Sequence, residues 1–402
     1  MRILVISQYY PPDVGGSHRR AFNAVKGLEQ RGHTIEIITA FPHYPLGKKP
    51  LQYKRKLISI ERESKHRIIR VWLPSIAHRG FARRLLIYLI FSFSALLALP
   101  IAKKPDVIWA ASPSIFSSFP ASIYSIILRA PVVRNVDDLW PETAAQLGYL
   151  GVRTQRIGEY VAKLAYLLSS AVTPISSAYV PILVNKYGVQ LSNTFVSEVG
   201  VDTTLFQMKS RIESNRKKHF EIVYSGLLGV AYDFNTVLAS AKDLQTDDSY
   251  RFLIRGVGEM DEFIRNKIEE LNLSNVQLST EFLVQAELIE LLSGADALIL
   301  PMKEHSSSDA GLPTKLIEYM ATGRPIICIS SGESARIVRE AKCGVVVSPS
   351  DSSGLTKEII NLRENSNREE LGANGKKYAE DHFSLVRIAS KLEVAFRHAM
   401  SN

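Results

Sequence analysis

The sequence has few cysteines and no tract dominated by one residue type. Its 402 residues include two cysteines, Cys328 and Cys343, and each lies in an apolar run. Two thiols without neighbouring histidines do not make a soft-metal site, so we expect buried, reduced thiols and no bound metal. The absence of internal repeats and low-complexity segments excludes solenoid and fibrous architectures.

The glycine pattern of a nicotinamide- or flavin-binding domain is also absent. After the first apolar run the sequence reads PPDVGG at residues 11–16, and no G-x-G-x-x-G occurs there. That pattern lets a strand-to-helix turn approach a dinucleotide, so we expect no such cofactor in this part of the chain.

Long apolar runs are rare as well. The first residues, MRILVISQYY, contain too short a run for a signal peptide, which predicts a cytoplasmic protein. Residues 85–102, LLIYLIFSFSALLALPIA, carry no charge and have basic residues on both sides. Eighteen residues is near the lower limit for crossing a bilayer. Three interpretations stay open: a buried helix of an α/β domain, a helix in the membrane interface, and a transmembrane span.

Acidic residues are scarce in the first half of the chain. The formal net charge is +9, to which residues 1–200 contribute +14 and the remainder −5. A basic half indicates a polyanionic partner: a phosphorylated ligand, an anionic membrane surface or nucleic acid. Because no RNA-binding aromatic signature or zinc-finger spacing accompanies the basic residues, we expect no nucleic-acid partner.

What is present is a regular alternation of strand-like and helix-like segments. Short apolar runs such as ILVIS, TIEIITA, DVIWAAS, PVVRNV and TFVSEVG precede residue 200, and FEIVYSG, YRFLIRG, ALILPM, PIICIS and GVVVSP follow it. This alternation predicts an α/β protein with two doubly wound, parallel-sheet, Rossmann-like domains.

The predicted domains are residues 1–200 and 201–384, joined through the polar stretch 202–219. A last helix at 385–402 is free to pack on either domain, including back on the first. Two such domains would face each other across an interdomain cleft. Because ligands bind at the carboxyl ends of parallel strands, we expect the chemistry in that cleft.

Glycines and carboxylates follow two strands of the predicted first domain. Gly15 and Gly16 precede a helix whose N-terminus favours phosphate, although a flexible turn is the simpler alternative. Asp137 and Asp138 follow PVVRNV, where carboxylates can bind hydroxyls or act as a base. The alternative for Asp138 is to cap the next helix.

Two glycine-containing turns follow strands of the predicted second domain. They are YSGLLG, with Ser225 and Gly226, and RGVGE, with Arg255, Gly256 and Gly258. A single G-x-G is weak evidence, because most such turns only reverse the chain. We include these five residues in a ligand-binding set because of the motif that follows them.

That motif is LPTKLIEYMATGRP at residues 312–325. On a helix, Lys315 and Glu318 are three residues apart and share a face. The helix opening at Pro313, Thr314 and Leu316, together with Lys315, would hold a diphosphate, and Glu318 would accept hydrogen bonds from ribose hydroxyls. The alternative is a surface ion pair that contributes little.

Taken together, the chain resembles retaining glycosyltransferases of family 4, which have the two-domain GT-B fold. It most resembles the branch that builds bacterial O-antigen and colanic-acid-type surface polysaccharides. The resemblance rests on SQYYPPDVGG, FPHYPLGK, DDLWPE, YSGLLG, GADALILP and LPTKLIEYMATGRPII, which occur in family order over nearly the whole chain.

This resemblance implies a hexosyltransferase that moves a sugar from a nucleotide-diphosphate donor, with retention and without an obligatory metal or other cofactor. UDP-N-acetylhexosamine is the favoured donor, and a polyprenyl-diphosphate-linked or other glycan is the acceptor. The implied location is peripheral, at the inner face of the cytoplasmic membrane, in contact with an anionic surface.

Site roles follow from the same resemblance. Asp137, Asp138 and Lys315 are the expected catalytic residues. The expected donor-binding residues are Gly15, Gly16 and Leu283, together with those given above for the two turns and for the 312–325 motif. We assign His18, His43 and Tyr44 to acceptor binding.

The sequence departs from the family pattern at four positions. Leu227 and Tyr232 stand where many members carry an Arg and a Lys that hold the diphosphate. Ala310 stands in place of a Glu, and Asp137 in place of a His. We therefore expect the binding of the phosphate charge to depend more heavily on Lys315, on helix N-termini and on Arg255.

Two other functions stay open at this point. One is a nucleotide-sugar epimerase on the same fold, which would release free epimer instead of a transferred product. The other is a catalytically inactive, membrane-associated scaffold, which would not bind a nucleotide diphosphate.

Overall fold

The chain divides into two compact units. The first comprises Met1–Gly200 and Leu385–Asn402, and the second comprises Val201–Ser384. The computed structural model describes residues 1–13, 16–44, 47, 49–63, 66–76, 80–111, 114–146, 148–206, 219–304, 310–364 and 367–401, with the backbone alone for 16–18. Most of the predicted linker, residues 207–218, lies outside the described residues.

A seven-stranded sheet forms the centre of the first unit. Its strands are β1 (Arg2–Ile6), β2 (Thr34–Ala40), β3 (Ile58–Glu63), β4 (His66–Val71), β5 (Val107–Ala110), β6 (Val132–Val136) and β7 (Ala171–Pro174). Their order is β3-β4-β2-β1-β5-β6-β7, and all pairs are parallel except β3–β4. The inner strands are apolar and buried, as in parallel sheets covered on both faces.

Two details of this sheet differ from the sequence prediction. ISIERE at 58–63 forms the antiparallel edge strand β3, which the sequence does not reveal because its charged residues obscure the apolar alternation. The strand predicted at 194–200 is wrong, since these residues form no more than a single bridge. The amides of Phe195 and Ser197 donate to carbonyls of β7 (3.0 and 2.9 Å), but the carbonyl of Ser197 accepts from the Arg20 guanidinium (2.7 Å), so no regular ladder forms.

Seven helices of the first unit precede residue 200 in the described ranges. They are α1 (Gly16–Gln30), α2 (Phe81–Leu96), α3 (Ile115–Ser118), α4 (Pro120–Leu128), α5 (Glu142–Gln146), α6 (Val152–Leu167) and α7 (Val180–Asn185). The predicted apolar face of α1, with Ala21, Val25 and Leu28, is fully buried against the sheet.

The second unit contains a six-stranded, wholly parallel sheet. Its strands are β8 (Phe220–Ser225), β9 (Tyr250–Arg255), β10 (Val276–Ser279), β11 (Ala297–Pro301), β12 (Ile326–Ile329) and β13 (Gly344–Val347), in the order β10-β9-β8-β11-β12-β13. Its helices are α8 (Phe234–Leu244), α9 (Asp261–Glu270), α10 (Gln285–Gly294), α11 (Thr314–Ala321), α12 (Glu333–Ala341), α13 (Ser352–Glu364) and α14 (Arg368–Phe383).

Both sheets have a topological switch point. In the first unit the chain leaves β1 toward β2 on one side, and β5 lies on the other side. In the second unit β8 leads to β9, whereas its other neighbour β11 leads to β12. Open α/β sheets bind ligands outside the carboxyl ends of the strands at such a point. The predicted doubly wound α/β architecture is confirmed, and each unit has one edge at which a ligand is expected.

The last helix, α15 (Leu385–Ser401), belongs to the first unit. Its apolar residues share a core cluster with β1, β5 and α1. A Cβ added at Gly27 of α1 would overlap the carbonyl oxygen of Leu385, so the two helices approach as closely as glycine allows. Glu393 of α15 accepts hydrogen bonds from Arg31 (2.9 Å) and pairs with His33 (2.7 Å).

The apolar run at 85–102 is divided between helix α2 and a following turn of 3-10 helix. In the described part of the chain, no helix is long and apolar enough to cross a bilayer. One side of α2 is buried through Ile87 and Phe91, whereas the other side exposes Leu86 and Phe93. The helix therefore contributes to the core on one side and presents an apolar surface on the other.

The Glu393 carboxylate should make the stability of the protein depend on acid pH. Hydrogen bonding from Arg31 lowers its pKa to about 2. A depressed pKa stabilises the folded state above the usual carboxylate pKa, near 4.5, and this contribution is lost as the pH falls toward 2. We expect Glu393→Gln to be less stable than the wild type in urea denaturation at pH 7, with the difference shrinking below pH 4.5.

Glu380→Gln is the control, because Glu380 is exposed and its substitution removes the same charge. Its difference from the wild type should be small at every pH. A Glu393→Gln difference that stayed constant from pH 7 to about pH 2.5 would contradict the role given to this carboxylate.

Candidate active site

The turns after β8 and β9 are locked together at the switch point of the second sheet. The amide of Gly226 donates to the carbonyl of Arg255 (2.9 Å). A Cβ at Gly256 would overlap the carbonyl oxygen of Gly226, and one at Gly258 would overlap that of Leu228. Gly226 and Gly256 also have a φ of +149°, a conformation that L side chains rarely adopt. These glycines are required by close backbone packing, not only by chain reversal.

Lys315 lies against this pair of turns. It follows Thr314, the first residue of α11, and its Nζ donates to the Tyr224 hydroxyl (2.7 Å). The ammonium is 3.9 Å from the ring centroid of Tyr232 and 4.7 Å from that of Tyr224. A Cβ at Gly226 would overlap Lys315 Cε. The cation is therefore held at the carboxyl end of β8 by two aromatic rings and a glycine.

A tyrosine on the same helix fixes the turn after β8. The amide of Ser225 donates to Tyr319 Oη (3.0 Å), and this hydroxyl donates to the carbonyl of Ser225 (3.2 Å). Tyr319 is almost fully buried. Helix α11 and the YSG turn therefore form one rigid assembly, which sets the position of Lys315.

Arg255 is placed differently from the other predicted donor-binding residues. Its guanidinium is nearly buried and donates to Ser225 Oγ (3.4 Å) and to the carbonyl of Glu281. Burial lowers its pKa. These protein contacts indicate that Arg255 holds the turns as well as contributing positive charge.

The remaining donor-binding predictions lie on α11 or near it. Leu316 is fully buried and its amide donates to the carbonyl of Pro313 (3.0 Å), so its side chain belongs to the core. Glu318 is partly buried, one helical turn after Lys315. Leu283 is partly buried just before α10. No comparison tests these assignments, and they stay predictions.

Two aromatic partners of Lys315 were not among the predicted site residues. Tyr224 precedes the YSG turn glycine by two residues, and Tyr232 was noted only as standing where relatives carry a Lys. A position that is cationic in relatives belongs to the phosphate-binding region, and an aromatic ring there is able to contact the predicted Lys315 cation. That signal could have identified Tyr232.

In the first unit, a buried carboxylate organises the loop after β2. Asp13 Oδ1 accepts hydrogen bonds from the amides of His43 (2.7 Å) and Tyr44 (2.8 Å). His43 Nδ1 donates to the carbonyl of Phe41 (2.8 Å), and its ring stacks on Tyr9 at 5.3 Å. Burial raises the pKa of Asp13 to about 6. The structure thus brings two predicted acceptor residues beside an unpredicted acid at the carboxyl end of β1.

The structure gives less detail for three other predicted site residues of the first unit. Gly15 lies outside the described residues, and Gly16 is the first residue of α1. His18 lies in the first turns of α1, and its side chain is not described.

The two consecutive carboxylates after β6 have different environments. Asp137 Oδ1 accepts from Asn135 Nδ2 (2.5 Å) and lies 3.6 Å from Arg20 Nε. Arg20 is buried and also donates to Asn135 Oδ1 (2.6 Å). Burial raises the pKa of Asp137, an effect that the Arg20 charge opposes. Asp137 is therefore part of a buried polar network that fixes its position.

Asp138 is exposed to solvent at the same strand end. Desolvation by the surrounding protein, together with the smaller effect of the neighbouring Asp137 charge, raises its pKa to about 6. A pKa near 6 suits a general base at neutral pH. Of the two predicted catalytic carboxylates, Asp138 is the one accessible to a substrate hydroxyl.

No cluster of three or more His, Cys, Asp or Glu side chains suited to a metal ion occurs in the described parts of the chain. Cys328 and Cys343 are both free and fully buried.

Removing the Tyr319 hydroxyl should destabilise the assembly around Lys315. Tyr319→Phe leaves the buried amide and carbonyl of Ser225 without this partner, which costs about 1–3 kcal/mol. Urea denaturation measures the loss. Tyr160→Phe is the matched control, because Tyr160 is 71% exposed and its change should stay within about 0.5 kcal/mol. Equal stability of the two variants would show that the hydroxyl does not hold the turn.

Two family models match the chain in adjoining segments. Residues 14–205 match the model described as Glycosyltransferase Family 4, and residues 206–378 match Glycosyl transferases group 1.

Curated relatives are similar over part or most of the chain. The chain is 26% identical to the putative colanic acid biosynthesis glycosyl transferase WcaI of Escherichia coli over 343 residues, which is 80% of this chain and 82% of WcaI. It is 27% identical to an MMP α-(1→4)-mannosyltransferase of Mycolicibacterium hassiacum over 232 residues. That match covers 56% of this chain and about half of the relative, 54%.

Solved structures share the fold at low identity. Sucrose-phosphate synthase from Thermosynechococcus elongatus aligns with a TM-score of 0.75 and 17% identity, over 100% of this chain and 99% of that one. Anabaena HepE in complex with UDP aligns with a TM-score of 0.69 and 17% identity, over 99% and 100%. The paired family models and this shared two-domain architecture lead to one conclusion: the chain belongs to glycosyltransferase family 4 and is a nucleotide-sugar-dependent glycosyltransferase of the GT-B fold.

Proposed function

We propose that the protein transfers a sugar, with retention, from a nucleotide-diphosphate donor of the UDP-N-acetylhexosamine type to a lipid-linked or other glycan acceptor. The observation that carries this proposal is the placement of Lys315 at the start of α11, against the glycine turn after β8. Two findings support it. HepE was solved with UDP, and WcaI is named for colanic acid biosynthesis. The protein would act in O-antigen or colanic-acid-type polysaccharide synthesis.

Lys315 and the first turn of α11 would hold the diphosphate. A helix N-terminus offers unpaired amides and a positive dipole end to phosphate. An ammonium has three N–H donors, and the described contacts assign one of them to Tyr224. As the bond to the sugar breaks, negative charge grows on the leaving diphosphate. A cation fixed in advance stabilises that charge without having to reorganise.

Glu318 would bind the ribose. It follows Lys315 by three residues on α11, so the two side chains point from the same side of the helix. A carboxylate accepts two hydrogen bonds, which matches a pair of ribose hydroxyls. The cation that would bind the phosphates and the carboxylate that would bind the ribose are thus about one helical turn apart.

The first unit would contribute the acceptor side. Asp138 is the accessible carboxylate for orienting a hydroxyl, and the buried network of Asp137, Arg20 and Asn135 fixes the strand end that carries it. The departing phosphate itself takes the proton of the acceptor, as the family resemblance implies for retention. Asp138 then serves to position the hydroxyl and polarise it.

The exposed helix faces of the first unit favour a membrane-borne acceptor such as a polyprenyl-diphosphate sugar. Helix α2 exposes Leu86 and Phe93, and α6 exposes Ile157, Tyr160 and Leu164. These helices are linked, because α3 packs against both. Arg153, Arg156 and Lys163 are exposed on α6 among the apolar residues. Apolar side chains flanked by basic ones are typical of helices that lie in an anionic membrane interface.

Loss of the Lys315 ammonium should weaken donor binding while the fold remains. Charge-assisted hydrogen bonds contribute about 1.5–3 kcal/mol, so Lys315→Ala should weaken UDP binding in calorimetry by about 10- to 100-fold. Transfer from a panel of nucleotide sugars, followed by mass spectrometry of the product, should fall at least as much. Lys376→Ala on α14 is the control and should bind UDP normally. Unchanged affinity in Lys315→Ala would remove the assignment of the diphosphate site.

The membrane contact has its own test. Phe93 is 73% exposed, and Phe282 in the second unit is 72% exposed. Sedimentation with vesicles of phosphatidylcholine and phosphatidylglycerol should show about tenfold weaker binding for Phe93→Ser, because one aromatic side chain no longer enters the interface. Phe282→Ser should sediment like the wild type. If both variants lose the same amount, the faces of α2 and α6 are not the contact.

A further inference from the structure

A basic cavity lies in the first unit, at the amino ends of β1, β2 and β4. Its volume is about 280 Å³. The cationic side chains that line it are Arg2, Arg62, Arg67, Lys103 and Lys104, and the one acidic residue of the lining is Glu36. Asp137 and Asp138 follow the carboxyl end of β6, so this cavity lies at the opposite edge of the same sheet. It is therefore separate from the residues assigned to catalysis.

The one carboxylate in the lining already accepts hydrogen bonds at both of its oxygens. Glu36 Oε2 accepts from Arg67 (2.6 Å), and Oε1 accepts from the backbone amide of Lys103 (2.8 Å). Arg2 lies 3.7 Å from Asp106, outside the lining. Among the described residues, no carboxylate pairs with the side chains of Arg62, Lys103 and Lys104. The cavity consequently keeps an excess of positive charge.

Two of the cations stand directly opposite each other in the sheet. Arg62 of β3 is the cross-strand partner of Arg67 of β4 in the antiparallel ladder. Like charges at directly opposed positions destabilise a ladder. Glu36 compensates Arg67 but is fully used by it and by the Lys103 amide. An anion bound in the cavity would offset the repulsion that remains.

The volume of the cavity and the residues beside it indicate which anion it can bind. The cavity volume of about 280 Å³ lies at the lower end of the range of ligand pockets, about 300–1,000 Å³, and has room for a phosphate or diphosphate group. Arg67 also donates to the carbonyl of Ile101 (2.9 Å). Ile101 and Leu97 are 37% and 47% exposed, so an apolar surface begins beside the cavity.

We propose that this cavity binds a phosphate group, supplied either by a free polyphosphate anion or by the headgroup of a phospholipid whose chains lie along Leu97 and Ile101. The cations provide charge-assisted hydrogen bonds to the phosphate oxygens. The proposal does not depend on the proposed transfer reaction, because none of the lining residues belongs to the donor or catalytic set.

The test uses Arg62→Ser/Lys104→Ser in the full chain. Both residues are exposed, so the fold should be unaffected. The matched control is Arg265→Ser/Lys377→Ser, which removes the same charge from exposed positions of the second unit. All titrations are made in the Lys315→Ala background, so that the proposed donor site does not contribute.

One arm measures inorganic pyrophosphate binding by calorimetry, and the other measures sedimentation with phosphatidylcholine vesicles with and without phosphatidylglycerol. The cavity variant loses two charge-assisted contacts, so we expect its binding to be at least about tenfold weaker. The control variant should bind as tightly as the parent protein. Weaker pyrophosphate binding identifies a site for free anions. Weaker binding confined to phosphatidylglycerol vesicles identifies a lipid headgroup site. Equal behaviour of the two double variants in both arms overturns the proposal.

Discussion

The contact between the Lys315 ammonium and the turn after β8 is the constraint on which the candidate donor site depends. The cation lies against the rings of Tyr224 and Tyr232, and its side chain occupies the space that a Cβ at Gly226 would fill. The same turn is packed against Gly256, where a side chain would again collide with backbone. Two strand ends and one helix are therefore positioned together, and none of them can shift alone.

The sequence predicted the alternation of strands and helices because buried parallel strands are short, apolar and separated by amphipathic helices. It failed where that signal is weak. Strand β3 has charged residues at an exposed edge. Segment 194–200 donates two amides to β7, but its Ser197 carbonyl accepts from the Arg20 side chain, so the ladder does not continue. In both cases tertiary contacts, which a local pattern does not contain, decide the structure.

In the candidate site, too, local signals were predicted and tertiary contacts were not. Lys315 and Gly226 were identified because a cation on a helix start and a glycine after a strand are local signals. Arg20 was not, although it lies one helical turn before Ala24 on the apolar face of α1, where a cation needs a buried partner. The contact between Arg20 and Asp137 joins residues more than a hundred positions apart. Spacing along the chain carries no information about such a pair.

The return of α15 to the first unit has a consequence for biosynthesis. Residues 385–401 complete the core around β1 and α1, yet a ribosome makes them after the whole of the second unit. During translation the second unit can finish folding while the earlier one still exposes the apolar surface that α15 covers. The first half of the gene product is thus the last to become fully native, and any loss of the final residues would leave that surface open to aggregation.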